Sequence, residues 1–186
     1  MIVIKLGGSL LATSLLLPCL EKIEQSYRQD NVVIVPGGGV FADQVRATQK
    51  QWGFDDRTAH QMAILGMKQT ALLCKGLKPD FALFDSAAEF SNLTNCSNIA
   101  IWSPDVTELD LAGIPPSWDI TSDSLSAWLA KTLDADELIL VKSVKIDENF
   151  NVPKLAQLQI VDARFYEFIQ QVFSKVTIIH AENFLS

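Results

Sequence analysis

The sequence predicts an α/β fold built on a mostly parallel sheet, and three observations predict it. Short apolar runs of β type alternate with longer helical patterns along the chain, as strands joined by crossover helices do. Two of these runs stop directly at glycine clusters, Ile2-Val3-Ile4-Lys5-Leu6-Gly7-Gly8-Ser9 and Val32-Val33-Ile34-Val35-Pro36-Gly37-Gly38-Gly39. A buried parallel strand whose C-terminal end opens into a loop reads this way. No internal repeat or low-complexity segment breaks the alternation.

Strands are expected at residues 2–6, 32–35, 81–84, 98–102, 137–144 and 176–180, where apolar runs are short and bounded by polar or turn residues. Helices are expected at 18–29, 40–52, 57–76, 122–133 and 162–173. Pro18 suits the first turn of the first helix, where a missing N–H costs nothing. Ser122 reads as the N-cap of the fourth, with Asp123 in its first turn. Pro115-Pro116-Ser117-Trp118 reads as the loop before it, and Asp147 to Asn151 as a hairpin or exposed loop. With no evident linker, residues 1–186 are expected to form one domain.

Composition narrows the class. With 48% hydrophobic and 20% charged residues the chain reads as a soluble globular protein, expected in the cytoplasm. A net charge of −7 argues against a general nucleic-acid binder, which needs a basic face. No apolar stretch is long enough to span a membrane, and the chain enters a strand at Ile2 with no basic leader. Cys19, Cys74 and Cys96 are odd in number and show no metal-ligand spacing with His60 or His180, so they read as buried free thiols.

Four segments carry chemistry. Lys5 lies inside an apolar strand, where it needs an anionic partner; it is either a phosphate clamp or a strand-end lysine that snorkels to water. Gly7-Gly8-Ser9 behind it favours the clamp. Gly37-Gly38-Gly39 feeds a helical pattern, and free N–H groups at a helix start bind anions; the competing reading is a tight strand–helix turn. Trp118-Asp119-Ile120-Thr121-Ser122-Asp123-Ser124 brings together two carboxylates and three hydroxyls, fit to hold phosphate oxygens, a lysine or Mg²⁺, or else an ordinary capped helix. Leu138 to Lys145 runs a buried strand into Lys142-Ser143 and then Lys145, a second cationic edge or a solvated strand end. Neither glycine cluster fits the P-loop or the dinucleotide-binding pattern.

In order and in kind, these segments resemble the amino acid kinase superfamily, whose members phosphorylate small molecules. The resemblance implies a three-layer αβα sandwich with a mostly parallel central sheet, and the use of ATP and Mg²⁺. It assigns Lys5 to the transferring phosphoryl group, Asp123 to the orientation of the catalytic lysines, and Gly7, Gly8, Ser9, Ser122 and Ser143 to the nucleotide's phosphates. Gly37, Gly38, Gly39, Asp119 and Thr121 fall on the acceptor side. Lys142 stands as first candidate for the second catalytic lysine, with Lys154 behind it. No residue is assigned as a metal ligand, and a homo-oligomer is expected, with the helix at 57–76 as an interface. Pro36, the run Gly39 to Arg46, the run Ala59 to Leu65 and Ser117 to Ser124 look like the aminomethylfuran phosphate kinase group of methanofuran-type cofactor synthesis. One departure stands out: Lys142-Ser143-Val144-Lys145-Ile146-Asp147 replaces the usual nucleotide loop. Other acceptors (a nucleotide, an amino acid, an isoprenoid phosphate) and a non-catalytic anion-binding member of the fold remain the competing readings.

Overall fold

The computed structural model describes residues 1–93, 98–147, 151–170 and 175–186. Six strands form one sheet: β1 (Ile2–Leu6), β2 (Val32–Pro36), β3 (Ala82–Phe84), β4 (Ile99–Trp102), β5 (Glu137–Lys142) and β6 (Lys175–His180). Their order is β3-β4-β2-β1-β5-β6, and every pairing is parallel. β1 is therefore central, with Lys5 in register with Val35 on one side and Leu140 on the other. The chain leaves β1 for β2 in one direction and returns to β5 in the other. The C-terminal ends of these three strands thus diverge at a switch point, where open α/β sheets bind ligands.

Helices cover both faces: α1 (Leu16–Ser26), α2 (Gly39–Trp52), α3 (Asp56–Leu77), α4 (Ala87–Leu93), α5 (Val106–Leu111), α6 (Ser122–Thr132), α7 (Val152–Gln157), α8 (Phe165–Ile169) and α9 (Ala181–Leu185). A short 3₁₀ turn at Gly8–Ala12 follows β1. Alternation along the strands sorts the core into two layers. Val3, Val33, Val35, Leu138 and Leu140 pack under α6 residues Leu125 and Leu129. Ile4, Leu6, Ile34, Ile139 and Val141 pack under α1 residues Cys19, Leu20 and Ile23. Lys5 shares the parity of Val3, and Lys142 that of Leu138 and Leu140, so both lysines turn toward the α6 face.

All six expected strands are present; β5 ends at Lys142, two residues short of expectation, where the chain bends away at Ser143. The N-cap of α6 is Thr121 rather than Ser122, which is the first helical residue. The four short helices α4, α5, α7 and α9 were not expected; each has seven residues or fewer, too short for a helical period to register. Of the helix expected at 162–173, α8 occupies Phe165–Ile169 and residues 171–173 lie outside the described residues. Cys96 and the middle of the 147–151 loop also lie outside them. Cys19 and Cys74 are buried and free, and burial pushes their thiols up to about 11 and about 12. Among the described residues no helix is long and apolar enough to cross a membrane.

Candidate active site

A cleft of about 690 Å³ opens over the C-terminal ends of β1, β2 and β5. Its floor holds a buried charge triad. Asp123, on the first turn of α6, reaches Lys5 Nζ at 2.7 Å and Lys142 Nζ at 2.7 Å, so one carboxylate bridges two ammonium groups. All three residues are less than 8% exposed. The sequence predicted each of these residues, and the structure brings them together. Lys154, the weaker candidate, is exposed on α7, and Lys145 is exposed beyond β5.

Burial alone would raise the Asp123 carboxyl, but the Lys5 and Lys142 ammoniums outweigh it and hold it well below the usual carboxylate range. Burial, reinforced by the Lys5 charge, pulls Lys142 down to about 8 against the opposing pull of Asp123 and Asp162. The α6 N-terminus, with its partial positive charge, adds to what keeps Asp123 ionised.

The two glycine loops form the rim, and they are in contact with each other. A Cβ on Gly37 would lie 2.8 Å from Gly8 Cα, and one on Gly8 would lie 2.7 Å from Gly39 Cα. Gly39 also has φ +50, a left-handed conformation. Two amides expected to face ligands serve the sheet instead: Gly7 N–H donates to Val141 O at 2.9 Å and Gly37 N–H to Leu6 O at 2.9 Å, each adding a rung to a strand ladder. Gly37 does not line the cleft; Gly7, Gly8, Gly38 and Gly39 do. The amides of Gly8, Gly38 and Gly39 make no hydrogen bond to a described residue. Ser9 Oγ and Ser143 Oγ sit 2.6 Å apart, joining the lips of the β1 and β5 loops. Ser122 is buried at the start of α6 and also lines the cleft.

The far wall is built from α2, α3 and the loop before α6. Asp56, His60, Ala63, Ile64 and Met67 all line the cleft, at spacings that put them on one face of α3. The Arg46 guanidinium carbon lies 4.3 Å from the centroid of the Trp118 ring, and Trp118 Nε1 donates to Gln49 Oε1 at 2.6 Å. Asp43 and Asp119 are exposed along the same wall. Arg57 points elsewhere, pairing with Asp110 at 3.0 Å. His60 is 7% exposed, its Nε2 has no hydrogen-bond partner among the described residues, and burial lowers its pKa.

Sequence reasoning missed Asp162. It approaches the N-terminus of α6 from the segment before α8 and bonds Thr121 and Ser124. An aspartate before an aromatic-rich helical pattern reads as that helix's own first turn, so no local signal marks it. Among the described residues no group of three or more His, Cys, Asp or Glu side chains is placed to hold a metal ion.

A model of the amino acid kinase family matches residues 1–158. The [5-(aminomethyl)furan-3-yl]methyl phosphate kinase of Methanocaldococcus jannaschii is 34% identical over 147 residues, covering 76% of this chain and 65% of that protein. The uridylate kinase of Methanoregula boonei is 29% identical over 153 residues, covering 77% of this chain and 59% of that protein. The chain thus spans less than two thirds of either curated relative. Among solved structures, uridylate kinase from Archaeoglobus fulgidus superposes with a TM-score of 0.75 at 20% identity, over 99% of this chain and 93% of that one. UMP kinase from Ureaplasma parvum gives 0.73 at 17%, over 97% and 89%. At these identities the structures speak to the fold, an αβα sandwich on a parallel sheet.

Proposed function

The chain belongs to the amino acid kinase family, and from that premise we propose that it transfers the γ-phosphoryl group of ATP to a phosphorylated small molecule. The observation that carries this reading is the Lys5–Asp123–Lys142 triad under two glycine loops. Two ammoniums held beside open amides suit a site that gathers several phosphate oxygens and neutralises charge on a moving one. The donor's phosphates fit against Lys5, Lys142, the Gly8 amide, Ser9, Ser122 and Ser143. Mg²⁺ fits this site as an ion carried by phosphate oxygens, because Asp123 is taken up by lysines; it would supply further charge neutralisation.

The acceptor side is the wall of α2 and α3. The Gly38 and Gly39 amides and Arg46 suit its phosphate, whose oxygen attacks the γ-phosphorus in line as the bond to ADP breaks. That oxygen is already anionic, so the step needs no strong general base. The acceptor we favour is [5-(aminomethyl)furan-3-yl]methyl phosphate, by similarity to the Methanocaldococcus jannaschii enzyme. Its flat ring suits the Trp118 face and the Ile64–Met67 surface, and its ammonium suits the open carboxylates of Asp43 and Asp119. Thr121 is a poorer candidate than its position suggests, since its hydroxyl is bonded to Asp162. Uridylate is the second reading, on the likeness to the Methanoregula boonei kinase.

ADP release with MgATP and a panel of acceptors (the furan phosphate, UMP, aspartate, glutamate, isopentenyl phosphate) tests this. Turnover with the furan phosphate alone supports the whole reading. Turnover with another acceptor keeps phosphoryl transfer and discards this acceptor. No turnover by folded protein, with tight anion binding, sinks the kinase reading in favour of a non-catalytic anion binder.

A further inference from the structure

Asp162 lies beyond the residues matched by the family model, and the transfer site described so far does not use it. Its carboxylate caps α6 from outside that helix. Oδ2 accepts from Thr121 N–H at 2.8 Å, Thr121 Oγ1 at 2.9 Å and Ser124 N–H at 2.9 Å, and Oδ1 accepts from Ser124 Oγ. The Asp162 amide donates to Asp123 Oδ2 at 3.2 Å. One residue therefore grips the turn that carries Asp123 and the Asp123 carboxylate itself. Thr121, at the N-cap, contributes no side-chain cap of its own.

A cap needed only for helix stability is usually supplied by the N-cap residue. Here it comes from a carboxylate placed beside another carboxylate, and burial together with the Asp123 charge pushes Asp162 up. The charges explain the arrangement. Lys5 on β1 and Lys142 on β5 bring two ammoniums to the cleft floor, and Asp123 supplies one carboxylate. Asp162 is a second carboxylate beside it, tied to Asp123 through its amide, and its charge favours the Lys142 ammonium. Asp119 precedes α6 and Arg164 precedes α8, and Arg164 is engaged with Glu167 at 2.6 Å.

We propose that Asp162 is a positioning residue for phosphoryl transfer: it holds Asp123 between the two lysines and supplies the second negative charge that balances them. This rests on the kinase reading above. The test is Asp162→Asn, read in two ways. First, the titration of Lys142 is followed by ¹³C NMR in substrate-free protein, its signal assigned by its loss in Lys142→Met. The midpoint is expected to fall in Asp162→Asn relative to the parent. Second, kcat is expected to fall about 10- to 100-fold while KM for both substrates stays within about twofold, the pattern of a misplaced rather than an absent group.

An unmoved Lys142 titration, or an unchanged kcat in folded protein, overturns the proposal. If the parent transfers phosphate to no acceptor, the kinase reading falls and the titration alone decides the positioning role. If Asp162→Asn does not fold, Ser124→Ala takes its place, since it removes one donor to Asp162 and keeps every charge. Its kcat is expected to fall about threefold with KM preserved; an unchanged kcat overturns the grip.

Discussion

Gly37 and Gly8 meet backbone to backbone, so closely that a Cβ on Gly37 would lie 2.8 Å from Gly8 Cα and closer still to its amide. Neither side of this contact is a flexible side chain that could move away. Gly37→Ala and Gly8→Ala are expected to destabilise the fold by about 1–3 kcal/mol or more. Gly76→Ala, on α3 with nothing within 4 Å of the added Cβ, is expected to stabilise it by about 0.4–1 kcal/mol. Thermal melts of the three variants check the contrast, and equal effects would remove the packing argument.

The buried triad carries two positive charges and one negative, so its three members should respond differently to neutralisation. Asp123→Asn leaves two buried ammoniums sharing only Asp162, and is expected to cost about 3–5 kcal/mol. Lys142→Met leaves Lys5 with Asp123 and Asp162 and removes an ammonium that burial disfavours, so it is expected to be neutral or slightly stabilising while abolishing transfer. Denaturant unfolding of both variants, with ADP release beside it, tests the order.

Lys142 is expected to make activity and stability respond to pH in opposite senses. Its folded value of about 8 lies below its ordinary 10.5, so between these the unfolded chain binds more protons. From this group alone, stability rises as pH climbs through that window. At neutral pH the buried ammonium costs stability, and the melting-point advantage of Lys142→Met over the parent should shrink between pH 7 and 10. Activity runs the other way, with kcat/KM falling on an alkaline limb near pH 8 as the charge is lost. A gap that widens with pH would contradict the assignment.

The Arg46–Trp118 stack should act on the acceptor alone. Trp118→Ala removes a flat wall and frees Arg46, and is expected to raise acceptor KM about tenfold while ATP KM changes less than about twofold. Steady-state kinetics with each substrate varied in turn checks it. Equal effects on both would place the wall on the wrong side of the cleft.

Much of this arrangement was legible in the chain. Short apolar runs marked all six strands; that Lys5 shares a face with Val3, and Lys142 with Leu140, came from the structure. What escaped was non-local. Nothing beside Gly7 or Gly37 says that their amides close a ladder, because the partners, Val141 and Leu6, lie in other strands. Nothing around Asp162 says that it caps a helix 38 residues back at Ser124. Ser122 looked like an N-cap because serine is a good one; the capping carboxylate from elsewhere let Thr121 take the place without a side-chain bond.

The central place of β1 has a consequence for the order in which the molecule is made. β1 pairs early in the chain with β2, but its other neighbour is β5, and the Ser9–Ser143 bridge spans 134 residues. Contacts of such range form late in folding, after the entropy of closing a long loop has been overcome. A chain emerging from the ribosome can pair β1, β2, β4 and β3 while Lys5 still waits for Asp123 and Lys142. The charge triad is then among the last parts to assemble, and Lys5 is covered only when its counter-ion arrives.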